Sequence, residues 1–377
     1  MKTVGYLFFA FIFNISRIFP IQKRKIVLFN GHNKGLNGNL LEIKKAIEKK
    51  EPNTKFLFYA KREMFAGRIL GKLKGAIGFF VILPFHMATS SAVYMNDNFL
   101  PLGYCYPSKK TKIVQLWHGA GAFKKFGLSS ENDENVKKQV MQANSRLTHL
   151  FVTSKQVVPF YKEAFGVEEE KIFVTGIPVT DVYFKEDKKA EGKERFYTAY
   201  PELRDKKILL YTPTFRRTKE ENDGIMEQFD VEKIHALLGD SWVILVKMHP
   251  KYPVDNIPEN SFCYNLTNYS QITDLYFVSD MLVTDYSSTV VEYVLLDKPV
   301  ILFAYDLQEY DRGFYRNFEA TVPGPVAHDK EEFCDFLVNY DRENQKRQNF
   351  AQLQYDYRDS YSTERILSVL EEAQNES

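Results

Sequence analysis

Four polar clusters in this 377-residue chain each follow directly on an apolar run, and their residue types suit transfer of a phosphate-bearing group. His118 closes the run "KIVQLW" and is followed by Gly119, Ala120 and Gly121, which leave the backbone open to close approach by a ligand. An imidazole within reach of an attacking hydroxyl can take its proton, an effect worth about 10²–10⁴-fold in rate. Lys124 and Lys125, a few residues on, add positive charge that would draw in a phosphate-bearing acceptor.

The other three clusters carry groups that hold anions. In "TDYSSTVVEYVLL", after Thr284 and Asp285, the residues Ser287, Ser288 and Thr289 would open a helix whose apolar face is Val290, Val291, Val294 and Leu295. Hydroxyls and unpaired amides at a helix start hold phosphate, although the same residues also serve as ordinary N-caps. Glu292, one turn further, either reaches a ribose hydroxyl or is solvated. "YTPTFRR" supplies Thr212 and Thr214 with Arg216 and Arg217, whose fork suits bidentate phosphate contact; a proline turn with solvated arginines is the plainer reading. "VKMHP" sets Lys247 and His249 on the opposite phase from Met248, so His249 either donates to a phosphate or is structural. No ligand set demands a metal and no cofactor is indicated. A nucleotide-bound Mg²⁺ stays open, with Asp285 the acid placed to hold it or to fix a turn.

These clusters need elements to position them. Short β-branched and apolar runs ("KIVLFN", "TKFLFYA", "AVYMND", "KIVQLWH", "HLFVTS", "IFVTG") alternate with amphipathic stretches such as "GNLLEIKKAIEKK", which predicts a parallel sheet with helical crossovers. A charged stretch at 185–195 reads as a linker or surface helix. A second series then starts with "KKILLY" and continues through "SWVILVKMHP", "NSFCYNL", "DMLVTDYSS" and "PVILFAYD". The chain is therefore expected to be α/β, in two open-sheet halves, each binding ligand beyond the carboxyl ends of its strands.

Net charge is +1, yet residues 1–126 hold 21 Lys and Arg against 5 Asp and Glu, an excess of 16, so the remainder carries about −15. The N-terminal part should seek anions. Cys105, Cys263 and Cys334 are far apart, which argues against a disulfide framework or a zinc site and fits a reducing setting. The opening "MKTVGYLFFAFIFNISRIFPIQKRK" is interrupted by Asn14, Ser16 and Arg17 and lacks a cleavage site, so it reads as uncleaved. It is short for a membrane span and suits a helix in the interface edged by Lys2, Arg17, Lys23, Arg24 and Lys25, or else a buried first helix. Residues 67–91, with Arg68, Lys72 and Lys74 among apolar side chains, offer a second lipid contact or a plain buried helix and strand.

"QLWHGAGAFKKFG", "YTPTFR", "KMHP" and "VTDYSSTVVEYVLLDKPVILFAYDLQEYDRGFY" resemble, in type and order, motifs of the CDP-glycerol glycerophosphotransferase family, whose members build teichoic acids and related polyol-phosphate polymers. The resemblance implies a GT-B-like fold: two Rossmann-type domains with parallel sheets facing across a cleft, the donor on the C-terminal one. The expected layout is a membrane-interfacial helix at 1–22, an acceptor domain at 23–185, a CDP-polyol domain at 200–345, and helices at 346–377 set back against the N-terminal domain.

By the same resemblance His118 is the catalytic base, and His249 binds the donor pyrophosphate or assists the leaving group. Thr212, Thr214, Arg216, Lys247, Thr284, Asp285, Ser287, Ser288, Thr289 and Glu292 line the donor pocket, and Gly119, Gly121, Lys124 and Lys125 meet the acceptor. Many members read W-H-G-T-P-x-K-x-L, whereas this chain has Ala120, Gly121 and Ala122 after Gly119, which sets its acceptor geometry apart. The compact length resembles members that add the first polyol-phosphate units to a lipid-linked saccharide.

The implied partners are CDP-glycerol or CDP-ribitol, a lipid-linked saccharide and an anionic membrane, with no nucleic acid. The implied place is the cytoplasmic face of the cell membrane, bound peripherally. A GT-B glycosyltransferase or nucleotide-sugar epimerase, and a non-catalytic membrane-bound nucleotide-binding protein, are the competing readings.

Overall fold

The computed structural model describes residues 2–31, 34–65, 68–249, 252, 255–310, 312–340 and 344–375. The chain divides into two compact units, Met1–Asp181 with Tyr355–Ser377, and Val182–Gln354.

Unit 1 holds a six-stranded parallel sheet of β1 (Gln22–Asn30), β2 (Lys55–Ala60), β3 (Ser90–Met95), β4 (Lys112–Gln115), β5 (His149–Val152) and β6 (Ile172–Val174), in the order β2-β1-β3-β4-β5-β6. Register follows from the apolar runs: Val27 of β1 lies between Leu57 of β2 and Val93 of β3. β1 is exposed over its first three residues and buried over the next six, the continuous pattern of a parallel strand covered on both faces. Its core joins Ile26 and Leu28 to Leu40 and Ile43 of the helix Gly38–Lys50, and to Ile366 and Leu370 of the C-terminal helix Ser362–Asn375. The strand order reverses between β1 and β3.

The first helix, α1 (Lys2–Ser16), has one buried and one exposed apolar face. Phe9, Ala10 and Phe13 are buried, while Val4, Leu7, Phe8, Phe11 and Ile15 are exposed. Lys25, expected at a membrane edge, is instead buried, with its ammonium on the Thr89 hydroxyl. The helix Ile69–Ala88 is long and apolar enough to cross a membrane by length and composition; it includes a π-helical turn, Gly78–Ile82. It packs beside α1 through Phe8–Phe80 and Phe9–Phe79 ring contacts at 6.3 and 5.7 Å. Residue 67, where that segment was expected to begin, lies outside the described residues.

Unit 2 holds a second six-stranded parallel sheet of β7 (Lys207–Tyr211), β8 (Trp242–Val246), β9 (Cys263–Asn265), β10 (Met281–Thr284), β11 (Val300–Phe303) and β12 (Val326–Ala327), in the order β12-β11-β10-β7-β8-β9. This is the doubly wound order, reversing between β7 and β10. The stretch read as linker or surface helix forms the helix Glu186–Ala199, anchored when Arg195 grips the buried Asp274 carboxylate through Nε (3.0 Å) and Nη2 (2.7 Å).

Candidate active site

Each unit carries its polar cluster beyond the carboxyl ends of its strands, in unit 2 at the reversal between β7 and β10 and in unit 1 after β4, next to the β1/β3 reversal. In unit 1 the chain leaves β4 and turns sharply at Trp117, whose φ of +54° is the left-handed region that bulky side chains avoid. Side chains hold it there: Trp117 N–H donates to Gln115 Oε1 (2.9 Å), and the buried Asn39 donates from Nδ2 to the Trp117 carbonyl (2.9 Å). Gly121, at φ +60°, meets the same need at no steric cost, and the Tyr161 hydroxyl bonds the carbonyls of Gly119 (3.2 Å) and Gly121 (3.0 Å).

That turn delivers His118. Its Nδ1 lies 3.0 Å from the Asn96 carbonyl, and because a carbonyl only accepts, Nδ1 carries the proton and the neutral ring keeps its lone pair on Nε2. Asp97 Oδ1 is 3.4 Å from the same nitrogen, and the His118 side chain keeps 45% of its surface exposed. Burial by itself would lower its pKa, but the bond to Asp97, the Asn96 carbonyl and the Asp97 charge reverse this and leave it raised. The Trp117 ring packs against the imidazole at 4.2 Å. Gly119 and Gly121 line the turn, and Lys124 and Lys125 follow it half-buried. Asn39, Asn96, Asp97, Gln115 and Tyr161 are the residues sequence reasoning missed. For Asp97 a signal existed, since it ends "AVYMND" as His118 ends its own strand.

In unit 2 the ends of β7 and β10 are sewn together. Thr284 Oγ1 donates to the Thr212 carbonyl (2.6 Å), the Thr212 and Thr289 hydroxyls are 3.0 Å apart, and Thr214 N–H donates to Asp285 Oδ1 (2.8 Å). Asp285 also accepts from Tyr286 N–H, so the acid the sequence offered either to an ion or to a turn fixes the turn. Among the described residues no group of three or more His, Cys, Asp or Glu is arranged to hold a metal.

Arg216, expected on a phosphate, lies between two carboxylates. Its fork reaches Asp306 through Nε (2.6 Å) and Nη2 (2.9 Å), and Nη1 is 2.9 Å from Asp285 Oδ2. Burial opposes the charge, but Asp285 and Asp306 outweigh it and raise the guanidinium pKa. Lys247 likewise donates to the carbonyls of Leu266 (3.3 Å), Thr267 (3.1 Å) and Tyr269 (2.7 Å), closing a loop, and burial lowers its pKa.

The helix expected after Asp285 is short, Thr289–Tyr293, and ends in a 3₁₀ turn at Val294–Leu296; Ser288 sits at its N-cap without a side-chain bond. Ser287 Oγ accepts only a long 3.4 Å bond from Thr289 N–H, so five residues with weak capping make a poor macrodipole. Glu292, read as a ribose contact or a solvated acid, takes a 2.8 Å bond from the Tyr183 hydroxyl and has its pKa raised by burial. His249 is exposed beside the Phe215 ring (5.0 Å), which stacks on Tyr252 at 4.4 Å. Those rings form an aromatic ledge next to the β7 and β8 ends.

Residues 11–372 match the family model described as CDP-Glycerol:Poly(glycerophosphate) glycerophosphotransferase. The chain belongs to that family. It is 33% identical over 377 residues to the teichoic acid poly(ribitol-phosphate) polymerase of Bacillus spizizenii, covering 98% of this chain but 60% of that protein. It is 31% identical over 365 residues to the teichoic acid ribitol-phosphate primase of the same organism, covering 94% of this chain and 93% of the primase. A teichoic acid glycerol-phosphate primase of Bacillus subtilis is 30% identical over 298 residues, 76% of this chain and 75% of that one.

Among solved structures, the wall teichoic acid polymerase TagF, soaked with CDPG, superposes with a TM-score of 0.76 at 24% identity, covering 94% of this chain and 90% of that one. At that identity the likeness establishes the GT-B-like pair of parallel-sheet domains. The relatives' names divide between ribitol and glycerol phosphate.

Proposed function

We propose that this protein transfers a polyol phosphate from a CDP-polyol to a hydroxyl of a lipid-linked saccharide and releases CMP, in teichoic acid or similar polymer biosynthesis. The observation that carries the reading is His118: anchored through Nδ1, it presents a basic Nε2 on an open turn. His118 takes the proton of the acceptor hydroxyl, the oxygen bonds to the polyol-bearing phosphorus, and the bond from that phosphorus to the CMP oxygen breaks. Thr212, Thr214, Ser287, Ser288 and His249 at the unit 2 strand ends serve the donor, with Phe215 and Tyr252 as apolar support. Arg216, Asp285 and Lys247 hold the loops that carry them.

CDP-glycerol is the first donor proposed. CDP-ribitol is the second, favoured by the ribitol-phosphate relatives that match nearly the whole chain. The test is CMP release by purified protein from CDP-glycerol, CDP-ribitol and a UDP-sugar with a lipid-linked disaccharide. Turnover of the UDP-sugar alone would replace this reading with a glycosyltransferase or epimerase.

We propose also that unit 1 rests peripherally on an anionic membrane, at the cytoplasmic face. Exposed Leu7, Phe8 and Phe11 of α1 lie on the pair of helices that also exposes Ile69, Leu70 and Leu73, with Arg68, Lys72 and Lys74 exposed between them. Apolar side chains that can insert, rimmed by cations worth about 1 kcal/mol each at such a surface, suit this role. Removing residues 1–20 would strip Phe9 and Phe13 from the core, so the cleaner variant is Phe8→Ser, Phe11→Ser, Leu70→Ser and Leu73→Ser together. It should stay in the supernatant when wild type sediments with anionic liposomes; co-sedimentation equal to wild type would sink the idea.

A further inference from the structure

The β1/β3 reversal of unit 1 opens into a cavity of about 260 Å³ that the motifs reach only through Trp117. Its floor is the ends of those strands, Gly31 and Asp97 with Asn98, and its sides are Tyr6 of α1, Lys61 at the end of β2 and Trp117. Trp117 and Asp97 both lie against His118, so the cavity adjoins the base.

Its polar atoms are one-sided. Asp97 Oδ2 and Asn98 Oδ1 are buried and have no hydrogen-bond partner. Buried acceptors left unpaired cost about 1–3 kcal/mol each, a cost a ligand can relieve only by bringing donors. Gly31 leaves the carboxylate room: a Cβ there would lie 3.0 Å from Asp97 Cβ and 3.2 Å from Oδ2. Aromatic walls, two acceptors and one cation suit a hydroxyl-rich, phosphate-bearing molecule.

We propose that this cavity takes the hydroxyl-rich end of the acceptor, and that Asp97 both positions His118 through Oδ1 and receives an acceptor hydroxyl on Oδ2. The inference rests on the transfer reading above and adds to it where the acceptor lies. Tyr6 brings α1, whose outer face is apolar, to the cavity mouth, which fits a saccharide whose lipid stays in a membrane. The shared chemistry has two sources, a bare lipid-linked disaccharide or one already carrying polyol phosphate, with Lys61 serving the added phosphate.

The experiment has a binding arm and a turnover arm. Binding of a short-chain polyprenyl pyrophosphoryl disaccharide, bare or bearing one glycerol or ribitol phosphate, is read from Trp117 fluorescence in a Trp242→Phe background, since the chain has 2 tryptophans. Asn98→Ala and Asp97→Asn should each need about tenfold more ligand for half-saturation, and Lys61→Gln should weaken the phosphate-bearing ligands more than the bare one. In turnover, Asn98→Ala should raise the acceptor KM about tenfold with the CDP-polyol KM unchanged.

Asp97→Asn should also move the acidic limb of kcat/KM. The carboxylate beside the imidazole is Asp97 at the β3 end; Lys61 lies across the cavity, and Lys124 and Lys125 follow on the imidazole's own loop. His118 must be neutral to act, and its pKa is held up by Asp97, so losing that charge shifts the limb to lower pH. A merely structural Asp97 would leave the limb in place. Variants that bind as wild type does, a wild type that binds none of the three ligands, or an unmoved limb would overturn the proposal. Absent CMP release from wild type would instead overturn the transfer reading, with the binding arm still deciding the cavity.

Discussion

The two strand-end sites occupy comparable places, each beyond the carboxyl ends of a parallel sheet, yet they are stabilised in opposite ways. In unit 1 the functional group is left half in solvent beside a single carboxylate, Asp97, and is otherwise steered by neutral bonds: a carbonyl on Nδ1, amide side chains on the Trp117 peptide, a phenol on two glycine carbonyls. In unit 2 the loops are clamped by a nearly buried guanidinium between two carboxylates, with side chains 9%, 2% and 19% exposed. A base must change protonation state during turnover, which a saturated ion-pair network would resist. A donor cradle must keep its shape, which such a network secures. Under the proposed reading, the same fold element serves proton movement in unit 1 and rigid binding of the donor in unit 2.

The comparison breaks most readily at His118. His118→Ala should lower CMP release about 10²–10⁴-fold while cytidine-nucleotide affinity stays within twofold of wild type. If turnover survives with the base removed, the division of tasks is wrong; if nucleotide binding falls with it, the two sites are not separable. Next in size is Arg216→Ala, which leaves two facing carboxylates without their cation. Breaking such a pair costs about 3–5 kcal/mol, so calorimetry should show a markedly lower Tm. Arg216→Lys should fall between, keeping charge without the fork. A Tm for Arg216→Ala within error of wild type would mean that the clamp does not hold the loops.

The strands were legible because both sheets are parallel and their inner strands, such as β5, β8 and β10, are buried on both faces and read as apolar runs ended by polar residues. Eleven runs suffice to place β1 to β11, whereas β12 has two residues, Val326–Ala327, and leaves no periodic signal. Side-chain partners were not legible in the same way. Arg216 lies 90 positions from Asp306, and Asn39 lies 78 from Trp117, so no local pattern links them. The helix after Asp285 was over-read because "TVVEYVLL" suits a helix throughout, while Asp297, at φ +52°, turns the chain back after two short helical pieces toward β11. Asp97 was within reach of the strand-end rule and was passed over because aspartate there also reads as an ordinary turn residue.

The smallest expected effect sharpens the contrast most finely, because it tests whether neutral bonds alone can hold a strained turn. The Tyr161 hydroxyl is shared by the carbonyls of Gly119 and Gly121, on either side of a residue pair with no side chain larger than a methyl. Tyr161→Phe keeps the ring, which meets Phe126 edge-on at 5.1 Å and stacks with Phe165 at 5.9 Å, and removes only the donor. A neutral hydrogen bond contributes about 1 kcal/mol, so kcat should fall roughly fivefold, with the donor KM and the pH limb set by Asp97 unchanged. If kcat is untouched, the Trp117 anchors, Gln115 and Asn39, hold the turn by themselves. A loss of about 100-fold would instead give the phenol a part in the chemistry and move it from scaffold to site.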